Sequence, residues 1–241
     1  MNPYMVTFLH HSGVLVETEN HQLFFDVYFD DNFTMDDLES LIVEDKQAVF
    51  FVSHGHKDHY APQIFAFSKF QNKKAPVYVI STDVEPIVPD TVYEILWVKP
   101  NQTYKMEHGD TLIRTFDSTD AGVAFLIEVD GVSIFHSGDL NWWHWKSATN
   151  EMQSQEENDF KQIMGQVVKA PIDLAFVPVD PRLEEAACFA MAYFAEHSDA
   201  KTLVPIHFGE AFETLKMRID ESTLKDDLRL IIPSHNIERF I

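Results

Sequence analysis

The eight residues Ser53-His54-Gly55-His56-Lys57-Asp58-His59-Tyr60 constrain this chain more than any other stretch of it. They directly follow residues 48–53 (AVFFVS), an unbroken apolar run of the kind that forms a strand covered on both faces. His54 and His56 are two apart, so in extended backbone both side chains project to one side. Asp58 and His59 are adjacent and must diverge or sit on a turn. Four donors within six residues can serve two cation sites side by side. Neutral imidazole with carboxylate suits zinc, iron and manganese, and Gly55 lets the backbone turn closely around such ions. At this chain's own residue frequencies the pattern would arise by chance about 0.003 times.

Composition narrows the partners. Of 241 residues, 45% are hydrophobic and 24% charged, an ordinary globular balance with enough chain for a real core. Eighteen Lys and Arg stand against 39 Asp and Glu, a formal net charge of −21. Such a surface repels phosphate polyanions and anionic lipid, so the expected partner is a small-molecule substrate, with neither nucleic acid nor membrane. Cys188 is the only cysteine. An intrachain disulfide is therefore impossible, and a cytoplasmic location is expected. The first residues lack the basic-then-apolar pattern of a secretory signal, and no apolar run is long enough to span a membrane. Cys188 sits among alanines and apolar residues on a predicted helix and reads as a buried, inert thiol.

Neither a linker nor a repeat divides the chain, which predicts one domain over 1–241. Strands are expected over 5–9, 14–17, 23–29, 48–53, 77–81, 94–98, 111–116, 123–129 and 132–136, with Asp130-Gly131 as a hairpin turn. Helical spacing appears over 31–43, 62–70, 151–169, 183–197 and 212–219, and later strands over 172–177, 203–206 and 230–232. Strands followed by helices, twice over, fit an α/β architecture of sheets packed face to face with helices outside.

The His-x-His-x-Asp-His loop resembles the signature of the metallo-β-lactamase fold superfamily, and further motifs recur in the same order along nearly the whole chain. The resemblance implies a four-layer αββα sandwich. Asp26, ending the run Leu23-Phe24-Phe25, matches the early aspartate that steadies the metal loop; as residues alone it also reads as an ordinary turn aspartate. Asp139, in Phe135-His136-Ser137-Gly138-Asp139, matches the aspartate that bridges two ions. His207, in Val204-Pro205-Ile206-His207-Phe208-Gly209, matches the last ligand histidine. One divalent ion would then have Asp58, His59, Asp139 and His207, and the other His54, His56 and Asp139. The nearest likeness is to the single-domain lactonase- and phosphodiesterase-like branch that contains relatives of ascorbate-6-phosphate lactonase.

One ligand is missing from that pattern. Family members carry a further histidine before the strand leading to the Gly-Asp hairpin. Anchoring on Val123 to Ile127 puts Ser118 there, and no histidine lies between His108 and His136. The second ion would gain at best a hydroxyl or carboxylate from Asp117, Ser118, Thr119 or Asp120. Such donors favour harder ions. The expectation is therefore an asymmetric pair of zinc, manganese or iron ions, with unequal occupancy.

The chemistry implied is hydrolysis by a metal-activated hydroxide, with Asp58 and Asp139 central, on an ester, lactone or phosphoester. Trp142, Trp143 and His144, directly after the Gly-Asp motif, suggest an aromatic wall for substrate; a packing cluster or oligomer contact fits them equally well. His235 reads as a late cleft residue or a turn residue, and His10 and His11 as supporting or packing histidines at a strand end. The alternative function is a metal-binding sensing module whose catalysis weakened with the departure at Ser118.

Overall fold

The computed structural model describes residues 3–69, 74–84, 94–106 and 111–241. Two mixed sheets face each other. The first has seven strands: β1 (Met5–His10), β2 (Gly13–Glu17), β3 (His21–Phe25), β4 (Gln47–Val52), β5 (Val77–Ser81), β6 (Glu94–Val98) and β13 (Glu238–Phe240), in the order β13-β1-β2-β3-β4-β5-β6. The second has six: β7 (Thr103–Lys105), β8 (Leu112–Phe116), β9 (Ala124–Val129), β10 (Val132–His136), β11 (Leu174–Pro178) and β12 (Thr202–Ile206), in the order β12-β11-β10-β9-β8-β7. Strands β3 to β6 run parallel, as do β10, β11 and β12. Parallel strands need both faces covered, and the sequence supplies that with doubly apolar runs. Phe25 and Phe51 stack at 4.8 Å and face the second sheet, where Phe51 meets Phe125 at 5.4 Å. Their neighbours Phe24 and Phe50 stack at 4.8 Å on the other face and meet Phe67. Period-two alternation thus fills two cores from one run of aromatics.

Helices close both outer faces and complete the four-layer αββα sandwich. On the first sheet lie α1 (Met35–Ser40) and a 3-10 helix (Pro62–Lys69). Thr34 caps α1 in a reciprocal box with Asp37. The second sheet carries α2 (Asn150–Val167), α3 (Phe189–His197) and α4 (Phe212–Asp220). Phe160, Met164 and Val167 are the buried stripe of α2.

Departures from the sequence reading have local causes. The helix predicted over 62–70 is 3-10, and Phe70 lies outside the described residues. The helix predicted over 183–197 is broken: a 3-10 helix (Pro181–Ala186) precedes α3, with Glu184 in a non-helical conformation at φ 55°. The strand expected over 230–232 is reduced to a bridge between Leu230 and Leu203. Three-residue β7 and β13 gave too little pattern to find.

At the end of the sandwich away from the His-rich loop, Asp130 ties the two sheets together. Its carboxylate accepts from the Thr18 hydroxyl at 2.6 Å, the Asn20 backbone N–H at 2.8 Å and His21 Nδ1–H at 3.0 Å. Burial alone would raise the pKa of this carboxyl, but the three donors hold it below the usual carboxylate range. A depressed folded-state pKa stabilises the fold above the unfolded value, and that contribution disappears as pH falls through the folded one. Asp130→Asn is expected to cost roughly 1–3 kcal/mol in urea unfolding at pH 7. The gap to wild type should narrow once pH drops below about 4.

Candidate metal centre and active-site cleft

Each prospective ligand stands at the end of a strand. Strand β4 delivers the loop from His54 to His59, β10 delivers Asp139, and β12 delivers His207 at φ 66°. Asp26, at the end of β3 with φ 44°, holds the loop from beneath. It accepts from the Ser53 backbone N–H at 2.8 Å, the Ser53 hydroxyl at 2.7 Å and His59 Nδ1–H at 2.8 Å. His54 Nδ1–H in turn donates to the Ser53 hydroxyl oxygen at 3.0 Å. One buried carboxylate therefore fixes the tautomer of two histidines and turns both Nε2 lone pairs toward the cleft. Asp180, at the end of β11, stands behind His207 with Oδ2 3.3 Å from Nδ1, an electrostatic contact without hydrogen-bond alignment.

The freed nitrogens converge on Asp139. Its Oδ1 lies 3.1 Å from His59 Nε2 and 3.2 Å from His207 Nε2, and His54 Nε2 is 3.6 Å from its Oδ2. His59 Nε2 and Asp139 Oδ1 are buried and have no hydrogen-bond partner. A lone pair facing a carboxylate at this distance is unfavourable, and either a proton or a metal ion between them relieves it. Burial alone would lower the pKa of His59, yet Asp139 and Asp26 raise it well above the ordinary value. His207 is raised to about 9 against its own burial, chiefly by Asp139. A site that draws positive charge so strongly fits divalent metal. Asp58, His59 and His207 with one oxygen of Asp139 could hold one ion; His54, His56 and Asp120 with the other oxygen could hold a second.

Asp120, not Ser118, stands where the missing histidine was sought. Its Oδ2 is 3.4 Å from His56 Nδ1, whereas the Ser118 hydroxyl accepts from the Asp120 backbone N–H at 3.2 Å and so shapes the turn. Two glycines let this turn and the Gly-Asp motif close on the metal loop. A Cβ on Gly122 (φ 67°) would lie 2.0 Å from the Ser53 carbonyl oxygen, and one on Gly138 (φ 52°) 2.7 Å from Ser53 Cβ.

His11 also reaches the centre, at the end of β1, with Nε2 3.6 Å from Asp58 Oδ2. Its Nδ1, however, accepts the Gly209 backbone N–H at 3.1 Å. The proton of the neutral ring is thus on Nε2, which makes His11 a donor beside Asp58 and excludes it from the ligands. Burial lowers its pKa to about 3 and keeps it neutral. His10 is buried against Tyr28 and Phe33, outside the cleft.

The cleft measures about 350 Å³ and is walled by Trp143 and Trp145, whose rings stack at 5.8 Å and 3°. Trp143 also meets the His207 ring edge-on at 5.6 Å. Trp142 turns inward to Phe160 and Phe189, and His144 packs on Phe189; neither lines the cleft. His235 is exposed on the turn before β13, with Nδ1 bonded to the Asn236 carbonyl, and does not line it either. Sequence reasoning missed Asp180, Arg182 and Glu156, whereas the Trp142-Trp143-His144-Trp145 segment was read as an aromatic wall and Trp143 and Trp145 line the cleft. Asp180 was findable, because it ends an apolar strand just as Asp26 and Asp139 do. Arg182 and Glu156 left no pattern. Cys188 is buried and its thiol is pushed up to about 11, mainly by burial, so it is inert.

Comparison with known proteins agrees with this geometry. Residues 5–156 match the beta-lactamase superfamily domain, and the chain belongs to that superfamily. A UPF0173 metal-dependent hydrolase of Bacillus velezensis is 29% identical over 222 residues, 85% of each chain. Igni18, a metallo hydrolase of Ignicoccus hospitalis, superposes with a TM-score of 0.66 at 13% identity, covering 99% of this chain and 98% of its own. YhfI of Bacillus subtilis, a metallo-beta-lactamase fold protein, gives 0.63 at 14% identity, covering 100% and 99%. Family and donor set together make this chain a metal-dependent hydrolase of the beta-lactamase superfamily. Among the described residues no helix is long and apolar enough to cross a membrane.

Asp26→Asn keeps the shape but removes the charge that orients Ser53 and His59. It is expected to lower metal affinity by roughly 10–100-fold, read by competition with a chromogenic chelator.

Proposed function

We propose that this hydrolase cleaves an ester, lactone or phosphoester of a small molecule, with two divalent ions held in the cleft. The convergence of His59, His207 and His54 Nε2 on the two oxygens of Asp139 carries this reading. Divalent ions, when bound there, would lower the pKa of water and polarise the electrophilic oxygen of the substrate. Asp139 fixes the spacing of the two sites, one oxygen to each. Asp58 and His59 would serve one site and His54 and His56 the other, while Asp26 holds the His59 ring with its Nε2 facing Asp139. His11 Nε2–H offers a hydrogen bond beside Asp58. The tryptophan wall limits the bulk of the substrate and keeps bulk water from one side. The lactonase- and phosphodiesterase-like resemblance supports the substrate class, and the charge of −21 supports a small molecule over nucleic acid or membrane. The single cysteine supports a cytoplasmic setting.

The two sites would load unequally. At one site His56 and Asp120 are 56% and 37% exposed and His54 is buried; at the other Asp58 is 48% exposed and both His59 and His207 are buried, so the first site has two exposed donors and the second one. Water competes more strongly at the exposed site, and its oxygen donors admit manganese or iron as well as zinc. Asp120→His is expected to raise zinc retention under chelator challenge and to reduce the manganese share, both read by elemental analysis.

The reaction is tested by assaying a lactone, a thioester and bis-p-nitrophenyl phosphate with zinc, manganese and iron, before and after Asp58→Ala. Turnover of at least one substrate that falls more than a hundredfold in the variant is expected. Activity indifferent to Asp58 would overturn metal catalysis. Metal retention with no turnover on a broad panel would favour the sensing module.

A further inference from the structure

Arg182 stands in the cleft wall with no part in the metal donor set. It is the one Lys or Arg among the residues that line the cleft, beside Asp58, Asp120, Asp139 and Glu156. Its guanidinium is held in place: Nε and Nη2 donate to Asp180 at 2.6–3.0 Å, and the group lies over the Trp145 ring at 5.7 Å. Asp180 is itself buried against His207, so the pair is anchored to the centre of the site. The side chain is nevertheless 62% exposed, and Nη1 has no hydrogen-bond partner among the described residues. Trp143, 9% exposed, lines the same wall with its ring.

A guanidinium fixed on one edge by Asp180 and seated on an aromatic wall matches a planar oxyanion, because it presents its remaining N–H groups to carboxylate or phosphate. Among the cleft-lining residues Arg182 is the one permanently cationic side chain, so an acidic group on the substrate meets an N–H donor there and carboxylates at Asp58, Asp120 and Glu156. The segments forming this side are tied together: Lys146 Nζ bonds Glu184 Oε2 at 2.7 Å, and Thr119 Oγ1 donates to the Asn141 carbonyl at 2.6 Å. The volume of about 350 Å³ is at the lower end for ligand pockets.

Resting on the hydrolase reading above, we infer that Arg182, with Trp143 and Trp145, is a specificity-determining subsite that takes a carboxylate or phosphate group on a small substrate, away from the bond that is cleaved.

Two measurements on metal-loaded protein test it. The first compares mono(4-nitrophenyl) glutarate with neutral 4-nitrophenyl butyrate in wild type, Arg182→Ala and Arg182→Lys. Wild type should prefer the acidic ester at least tenfold in kcat/KM. Arg182→Ala should erase the preference through KM, and Arg182→Lys should restore part of it. The second measurement needs no turnover: benzoate, phenyl phosphate and benzamide are titrated against tryptophan fluorescence. The anions should bind at least tenfold tighter than benzamide in wild type only, and whichever anion binds tighter identifies the group. An equal preference for anions in wild type and Arg182→Ala, with the metal content of both confirmed, would assign anion binding to the ions alone and overturn the subsite. Absence of turnover on both esters and on the lactone, thioester and phosphodiester panel above, with the fluorescence difference retained, would sink the hydrolase reading and leave the subsite standing.

Discussion

The buried carboxylate of Asp26 is the interaction on which the cleft depends. It lies inside the sandwich, at the end of a strand, where an unpaired charge would be costly. The cost is met by three donors, all from the metal loop or its root: the Ser53 N–H, the Ser53 hydroxyl and His59 Nδ1–H. Because the charge must be satisfied, the loop cannot relax away from β3. Because one donor is the back of the His59 ring and another, the Ser53 hydroxyl, accepts from the His54 ring, satisfying the charge also aims those rings. Folding and site preorganisation are the same hydrogen bonds. His136 extends the arrangement across the second sheet. It is buried; its Nε2–H donates to the Ser12 carbonyl at 3.0 Å, while Nδ1 accepts from the Gly138 N–H at 3.1 Å. Burial lowers its pKa and keeps the ring neutral, which lets it donate and accept at once.

The legible parts of the site were those in which chemistry and secondary structure share a short segment. His54, His56, Asp58 and His59 announce themselves because four donors follow one apolar run. Asp139 and His207 were found through the resemblance to the superfamily's later motifs, with their place at strand ends as support. The aspartate that completes the second donor group was harder. Counting back from the apolar strand reaches Ser118, but the chain turns through Gly122 in left-handed backbone, and this brings Asp120 forward. A turn of that kind breaks the periodicity on which counting relies. The tryptophans illustrate the same limit. An aromatic wall is visible as composition, yet which rings face the cleft depends on a backbone that places Trp142 against α2 and leaves Trp143 and Trp145 outward.

Contacts between distant segments left no trace in the sequence. Arg182 and Glu156 come from two stretches that meet only in the folded protein. The 3-10 helix that carries Arg182 read as the first turns of α3, since Leu183, Ala186 and Ala187 keep helical spacing. Tertiary demands override that local preference at Glu184, where the backbone takes φ 55° and ψ −117°. Such departures concentrate at the rim, where the chain is shaped by what it must reach and less by what it prefers.

The glycines at 122 and 138 press on Ser53 and His54 so closely that a single methyl group has no room. The floor of the cleft is thereby closed to variation: any descendant of this sequence inherits the same base and the same spacing of donors. The rim is built differently, from exposed ion pairs and stacked rings whose replacement leaves the floor untouched. Divergence toward new substrates has one route open to it, through the tryptophan segment and the short helix facing it.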